Sequence, residues 1–373
     1  MSLLKEKDMK WVKEIWRQVE DKQVIVAKRN GVKIPYTTKD GVFIDKFAED
    51  PSWWTNGFWG GMLMMLFKET KDEIYLELAN HIEDRMDEVL HMVEDGIHHD
   101  VGFMWYLSSG LNYKLTGNKK AKTRTLIAAN YLASRFTIKG GYIIAWNGTD
   151  RQGWSIIDSM MNIPLLFFAS EETGYNRYRE IAIAHADKTL ENFIRPDGSV
   201  NHIVVYDPQT GEKLETLGGQ GYEVGSSWSR GQSWAINGFA QAYNHTKDQR
   251  YLDAAKKVAH YFIACISETG YIPLLDFRSP KEPVFIDTTA GAIAASGLID
   301  IAKAVPIHEK ELYLNAAVKI VIALAKKELD VTLDTDNLLR NGSEAYGGNK
   351  HLSIIYGDYY FMEAILKLKN TME

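Results

Sequence analysis

Apolar positions recur along this chain at three- and four-residue spacing over most of its length, the period of helices that bury one face. A phrase repeats within that pattern. "KETKDEIYLELANHIED" from Lys68, "KLTGNKKAKTRTLIAANYLASRF" from Lys114, "EETGYNRYREIAIAHADKTLENF" from Glu171 and "NHTKDQRYLDAAKKVAHYFIACI" from Asn244 each join a turn to a new amphipathic run. The Thr and the Gly or Lys after it close one helix, and Tyr75, Tyr178 or Tyr251 begins the apolar stripe of the next. A weaker copy, "HEKELYLNAAVKIVIALAKKEL", starts at His308. Between the copies lie runs of a second kind, "WTNGFWGGMLMMLFKET", "VGFMWYLSSGLNYKLTG", "SIIDSMMNIPLLFFASEETG", "RGQSWAINGFAQAYNHT" and "TTAGAIAASGLIDIAKAV", which open with small, polar or aromatic residues. The chain alternates outer and inner helices.

Helix pairs repeating roughly every 50 to 70 residues either stack into an open solenoid or close into a ring. The inner runs favour the ring, because their Gly, Ser, Ala and Met let helices crowd around an axis while Trp, His, Asp and Arg gather at their starts. The predicted fold is all-α, an (α/α)6 barrel of about six hairpins forming a single domain over residues 1–373. "GSVNHIVVYDPQTGEKLETLGGQGYEVGSSW" interrupts it as a small β-hairpin insertion near the rim.

Composition narrows the chemistry. With 373 residues and 45% hydrophobic content the chain can bury a large core, and no long Pro/Gly/Ser-rich linker divides it. The net charge of −6 is spread without a basic block, which argues against a nucleic-acid partner, so an anionic substrate needs locally placed cations. A single cysteine, Cys265, excludes an intrachain disulfide, and "MSLLKEKDMKWVKEIW" resembles neither a signal peptide nor a membrane span, so a reduced, cytoplasmic setting is expected. Cys265 itself reads as an inert core thiol, and Lys22, Lys28, Arg29 and Lys33 as a solvated face. Without clustered cysteines, HExxH, GxGxxG or a P-loop, no metal and no cofactor is expected. No oligomeric state follows from the sequence.

Ten Trp and nineteen Tyr are many for a helical core. The starts of the inner helices, "PSWWTNGFWGG", "HHDVGFMW", "GWSIIDSMMN", "GSSWSRGQSW" and "YGDYYFMEA", set aromatic residues beside Asp, His, Arg or Gln, as a carbohydrate site requires. Asp158 poses the sharpest question, since it lies in an apolar run that reads as helix, where a buried carboxylate is costly unless paired or used. Capping or a salt bridge is one reading. Catalysis is the other.

Four of these stretches, "HHDVGFMW", "GWSIIDSMMNIPLLFFASEETG", "GQGYEVGSSWSRGQSWAINGFA" and "SIIYGDYYFMEAIL", resemble the unsaturated glucuronyl hydrolases of glycoside hydrolase family 88, in the same order and over most of the chain. The resemblance implies an (α/α)6 barrel that removes a 4,5-unsaturated uronic acid from the non-reducing end of small lyase-generated oligosaccharides. It places the acid/base on Asp158 and the second functional aspartate on Asp100, beside His99. His202 and Gln220 match polar site residues, Arg230 with Trp228 and Trp234 the aglycone side, and Trp54 and Trp146 aromatic walls. Ser343, Tyr346 and Lys350 fall in "RNGSEAYGGNKHLS", a loop that varies in the family with substrate.

A 4,5-unsaturated uronide is a vinyl ether. Protonation at C4 leaves an oxocarbenium ion at C5, water adds there, and the hemiketal opens to release the aglycone. One carboxyl group can serve both proton transfers if apolar surroundings hold its pKa near neutrality, as Trp154, Ile156, Ile157 and Met160 do for Asp158. Arg230 and Lys350 favour anionic substrates of glycosaminoglycan type. The alternatives are an unsaturated rhamnogalacturonyl hydrolase of the sister family, a direct glycosidase with Asp100 as base and Asp158 as acid, an epimerase using the His residues, and a non-catalytic sugar-binding toroid.

Overall fold

The four repeated phrases fold as one recurring junction. In each, a threonine near the helix end (Thr70, Thr116, Thr173, Thr246) donates its hydroxyl to the carbonyl four residues back, at 2.6 to 2.8 Å, and accepts the N–H two residues on. The residue between, Lys71, Gly117, Gly174 or Lys247, takes the left-handed conformation, with φ of 60°, 74°, 73° and 59°. Asp72, Asn118 and Asp248 then cap the following helix with their side chains. One short phrase therefore stops a helix, reverses the chain and starts the next.

The computed structural model describes residues 6–92 and 96–371, so residues 1–5, 93–95 and 372–373 of the expected single domain, including the start of the N-terminal stretch, lie outside the described residues. Six hairpins result among the described residues, the four junctions joining the first five and residues 305–309 leading into the sixth. They are α1 (Glu6–Asn30) with α3 (Phe58–Thr70), flanking the one-turn α2 (Lys46–Glu49); α4 (Glu73–Arg85) with a π-helical segment (Gly102–Gly110) that continues as α5 (Leu111–Thr116); α6 (Lys119–Ser134) with α7 (Pro164–Thr173); α8 (Asn176–Phe193) with α9 (Ser229–Thr246); α10 (Gln249–Ser267) with α11 (Thr288–Ala304); and α12 (Lys310–Lys327) with α13 (Ile355–Asn370). The second member of each pair is inner. Each inner element packs on the next, and α13 returns against α3, closing the expected (α/α)6 ring. Residue type sorts the two layers: every residue of α3 from Phe58 to Leu66 is buried, whereas outer α10 buries one stripe, Tyr251, Leu252, Ala254, Ala255, Val258, Ala259, Phe262 and Ile266.

Short strands decorate the barrel. β1 (Thr38–Lys39) pairs with β2 (Val42–Phe43) and β3 (Phe136–Thr137) with β4 (Tyr142–Ile143). The expected hairpin is β6 (Ile203–Tyr206) with β7 (Lys213–Leu217), and it gains a third antiparallel strand, β5 (Trp154–Ile156), in the register Ile156↔Ile203. Pairing with β6 draws residues 154–156 out of any helix, and α7 begins only at Pro164, which lacks an N–H and suits a first turn. Asp158 is thus corrected from a helix to a single 3-10 turn, Ile157–Met161.

One member of the predicted basic face, Lys22, is also corrected. Lys22 is 1% exposed and donates to the carbonyls of Asp330 and Asn337 at 2.8 and 2.6 Å and to Thr335 Oγ1, while Arg29 pairs with Asp336. These two residues clip the 330–337 loop onto α1; Lys28 remains exposed. No helix among the described residues is long and apolar enough to cross a membrane.

Candidate active site

Strand register builds the first half of the site. The N–H of Ile157 donates to the His202 carbonyl at 3.1 Å, which sets the Asp158 turn beside the His202 ring. Asp158 Oδ1 has no hydrogen-bond partner and lies 3.7 Å from His202 Nε2, and its side chain is 13% exposed. His202 Nδ1 accepts the Gln220 N–H at 2.9 Å, so the neutral ring carries its proton on Nε2, the nitrogen facing Asp158. Burial lowers His202 to about 3 and keeps it neutral. Burial raises the Asp158 carboxyl to about 7, outweighing the opposite pull of the Arg230 charge.

Asp100 forms the second half, just before the π-helical segment, a distortion often found at functional sites. Asn162 joins the halves. Its Nδ2 donates to Asp100 Oδ1 at 3.2 Å and to the Asp158 carbonyl at 3.1 Å, while its Oδ1 accepts the Phe103 N–H at 2.9 Å. Gly102 permits this approach, because a Cβ there would meet Asn162 Cα and Oδ1 at 2.7 Å. Asn162, in "GWSIIDSMMN", is not singled out by the sequence; an amide in an apolar run, four residues after Asp158, is the available signal. His99 donates Nδ1–H to the Ala145 carbonyl at 2.6 Å and holds Nε2 3.1 Å from Asp100 Oδ1. Burial, and then the Asp158 charge, push Asp100 well above the usual carboxyl range.

Aromatic rings surround these groups. Half-buried Trp54 packs on Tyr356 and Phe103, with centroids 5.1 and 5.4 Å apart, and half-buried Trp146 stands edge-on to His99 at 5.7 Å. Trp228 packs against His202 at 4.3 Å. Trp234 does not face an aglycone: it is 0% exposed and packs on Phe103 and Tyr360 in the barrel core. Arg230 also departs from its expected role. It is 2% exposed, pairs with Asp287 at 2.8 Å, and donates to the carbonyls of Ser343 and Glu344. Nη1 and Nη2 are thus engaged within the protein, so the guanidinium serves first as a clamp on Asp287 and the 343–344 segment. Ser343 is corrected likewise, since its hydroxyl donates to the Ile286 carbonyl at 2.9 Å.

The C-terminal loop is nonetheless anchored to the site. Gln220 Nε2 donates to the Glu344 carbonyl at 2.7 Å, the Gln220 carbonyl accepts the Tyr346 N–H at 2.8 Å, and Tyr36 donates to Glu344 Oε1 at 2.6 Å. Tyr346 packs on Tyr222 at 4.8 Å, and the Lys350 ammonium lies 4.6 Å over the Phe285 ring. Asp358, from the quoted "YGDYYFMEA", provides a contrast. Its carboxyl is also raised to about 7 by burial, but both oxygens accept backbone N–H groups, of Leu338 and Leu339, at 2.9 and 2.7 Å. Asp358 is a structural staple, whereas Asp158 has a free oxygen.

The family profile described as Glycosyl Hydrolase Family 88 matches residues 26–370. The chain belongs to that family. Similar proteins include an unsaturated glucuronyl hydrolase from Bacillus sp. (strain GL1), 34% identical over 370 residues and covering 95% of this chain and 97% of that one. An unsaturated chondroitin disaccharide hydrolase from Streptococcus agalactiae serotype III (strain NEM316) is 33% identical over 336 residues, covering 87% and 83%. The crystal structure of the unsaturated glucuronyl hydrolase of Bacillus sp. GL1, described as responsible for the degradation of glycosaminoglycan, superposes with a TM-score of 0.89 at 32% identity over 96% of this chain and 97% of that one. This family-88 chain is therefore a glycoside hydrolase on the six-hairpin toroid, and the matched span contains the Asp100 and Asp158 halves of the site together with the C-terminal loop.

Proposed function

We propose that this enzyme removes a 4,5-unsaturated uronic acid from the non-reducing end of small glycosaminoglycan-derived oligosaccharides by hydrating the C4=C5 bond. The observation that carries the reading is the Asp158 carboxyl, unpartnered at Oδ1 and held at about 7. A group poised there is protonated often enough to donate to C4, and its conjugate base can then take a proton from the water that adds at C5. The neighbouring His202 Nε2–H, 3.7 Å away, is set to orient that water or the substrate carboxylate. Asp100, held towards its neutral form, with His99, Trp54 and Trp146 positions the sugar ring.

The same electrostatics disfavour a direct glycosidase, which needs one carboxylate stabilised as an anion, whereas burial lifts both Asp100 and Asp158. A binding toroid has no use for an unpartnered buried carboxyl. The glycosaminoglycan class, in preference to pectin fragments, rests on the relatives named for glucuronyl and chondroitin substrates and no longer on Arg230. Lys350 and Tyr346 remain the residues read for the aglycone. A reduced, cytoplasmic setting fits a chain whose one cysteine, Cys265, is a free, half-buried thiol.

Turnover of an unsaturated chondroitin disaccharide, followed by loss of the ultraviolet absorbance of its conjugated double bond, tests the proposal. Asp158→Asn should fall at least 100-fold, at the low end of about 10²- to 10⁴-fold for general acid/base catalysis, and the saturated disaccharide should not turn over. Retention of more than about a tenth of the activity would contradict the role of Asp158. Comparable hydrolysis of the saturated disaccharide would return the direct glycosidase.

A further inference from the structure

We infer that His98, His99 and Asp100 form a binding site for a divalent transition-metal ion of the zinc class, and that such an ion inhibits the enzyme. Each residue presents one ligand atom, and the three atoms lie within 4.8 Å of one another. His99 Nε2 is 3.1 Å from Asp100 Oδ1, and His98 Nδ1 is 3.5 Å from Asp100 Oδ2. These two contacts use different oxygens of one carboxylate, and the three ligand atoms span up to 4.8 Å against an edge of about 3.4 Å for a tetrahedral site with zinc bonds of about 2.0 to 2.2 Å, so the His98 ring must swing inward to close on an ion.

The ligand atoms are also prepared for an ion. His98 Nδ1 and His99 Nε2 are buried nitrogens without a hydrogen-bond partner, which is unfavourable unless something binds there. The supporting contacts are those that metal sites use: His99 donates its other N–H to the Ala145 carbonyl at 2.6 Å, fixing the Nε2 lone pair towards Asp100, and Asn162 orients the Asp100 carboxylate. Two imidazoles with one carboxylate suit zinc, copper, nickel or cobalt, whereas magnesium and calcium prefer all-oxygen shells. An ion takes Asp100 as its carboxylate in place of the proton held there; Asp50 and Asp158 lie nearby, and the Arg135 guanidinium opposes a cation. The His98 side chain, 21% exposed, leaves an approach from solvent. An ion held there occupies Asp100 and competes with the sugar ring.

The inhibition rests on the proposed role of Asp100, but binding does not, so the test reads both. Metal-free enzyme is titrated with zinc chloride against a chromogenic zinc indicator, and with cobalt chloride for the visible absorption of a tetrahedral ion. Wild type should take up one ion per chain, and His98→Ala should bind it at least about ten-fold more weakly. His98→Asn replaces the Ala variant if that does not fold. Zinc should inhibit turnover of the unsaturated disaccharide competitively and reversibly on chelation, with His98→Ala active but resistant; magnesium should do neither. Absence of stoichiometric binding, or equal affinity in both proteins, overturns the site. Binding that His98→Ala weakens, without inhibition of an active wild type, overturns the inhibitory role. A wild type that binds zinc at His98 but turns over no unsaturated disaccharide refutes the proposed function and leaves the metal site standing.

Discussion

Asp158→Asn should lose activity and gain stability, and the gain should depend on pH. Burial lifts this carboxyl from 3.8 to about 7, so between those values the folded chain holds a proton that the unfolded chain has released. A folded-state pKa that is raised makes stability fall as pH rises across the window, with the penalty complete above about 7 and absent below the unfolded value. A shift of about 3 units at roughly 1.4 kcal/mol each sets an upper bound near 4 kcal/mol. With the side chain 13% exposed and the amide bringing its own burial cost, about 2 to 4 kcal/mol is expected at pH 8. Removing the Asp158 charge also relieves Asp100, which acts in the same direction. Denaturant unfolding followed by tryptophan fluorescence, for wild type and variant from pH 4 to pH 8, gives the difference directly, because all other titrating groups are shared. The two midpoints should coincide near pH 4 and separate towards pH 8. Asp358→Asn is the comparison: its carboxyl is raised to the same extent and should share the pH trend, but an amide nitrogen facing a backbone N–H adds a loss at every pH, so this variant should lie below Asp158→Asn throughout. A flat difference between pH 5 and 8, or a variant that weakens relative to wild type as pH rises, would refute the placement of an unpartnered buried acid at Asp158.

Other consequences are as direct. The Asp158 carboxyl must be protonated to donate, and His202 is already neutral, so kcat/KM should fall with rising pH through an apparent pKa of about 7; a rate that climbs through neutrality would argue for Asp158 as base alone. Arg230→Ala leaves Asp287 buried without its cation, and should cost about 3 to 5 kcal/mol by denaturant unfolding and raise KM equally for sulfated and unsulfated aglycones, whereas a selective rise would restore Arg230 to substrate recognition. Lys71→Gly and Lys247→Gly relieve left-handed backbone at two junctions, and each should stabilise by about 0.5 to 1 kcal/mol, read as a higher thermal midpoint; Gly117→Ala should do the reverse.

What the sequence by itself determined is what depends on neighbours along the chain. The junction of Thr70, Lys71 and Asp72 and its copies use hydrogen bonds within a few residues, so the phrase carries its own geometry and marks where one hairpin ends and the next begins. The small residues of the inner runs pointed to the crowded ring, and the quoted motifs drew attention to Asp100 and Asp158, which Asn162 links in the fold. Tertiary structure decided how those residues are used. Asp158 leaves the helix because β5 pairs with β6, some 50 residues later, and that register also supplies His202. Arg230 reads in sequence as a cation at a sugar site, but Asp287 and the 343–344 carbonyls claim its donors from other hairpins. Lys22 reads as a surface charge until the 330–337 loop closes over it. Asn162 is silent until Asp100 arrives from the preceding hairpin. In each case the deciding partner is distant in sequence, and a polar side chain's role is set by which donor or acceptor packing brings to it once water is excluded.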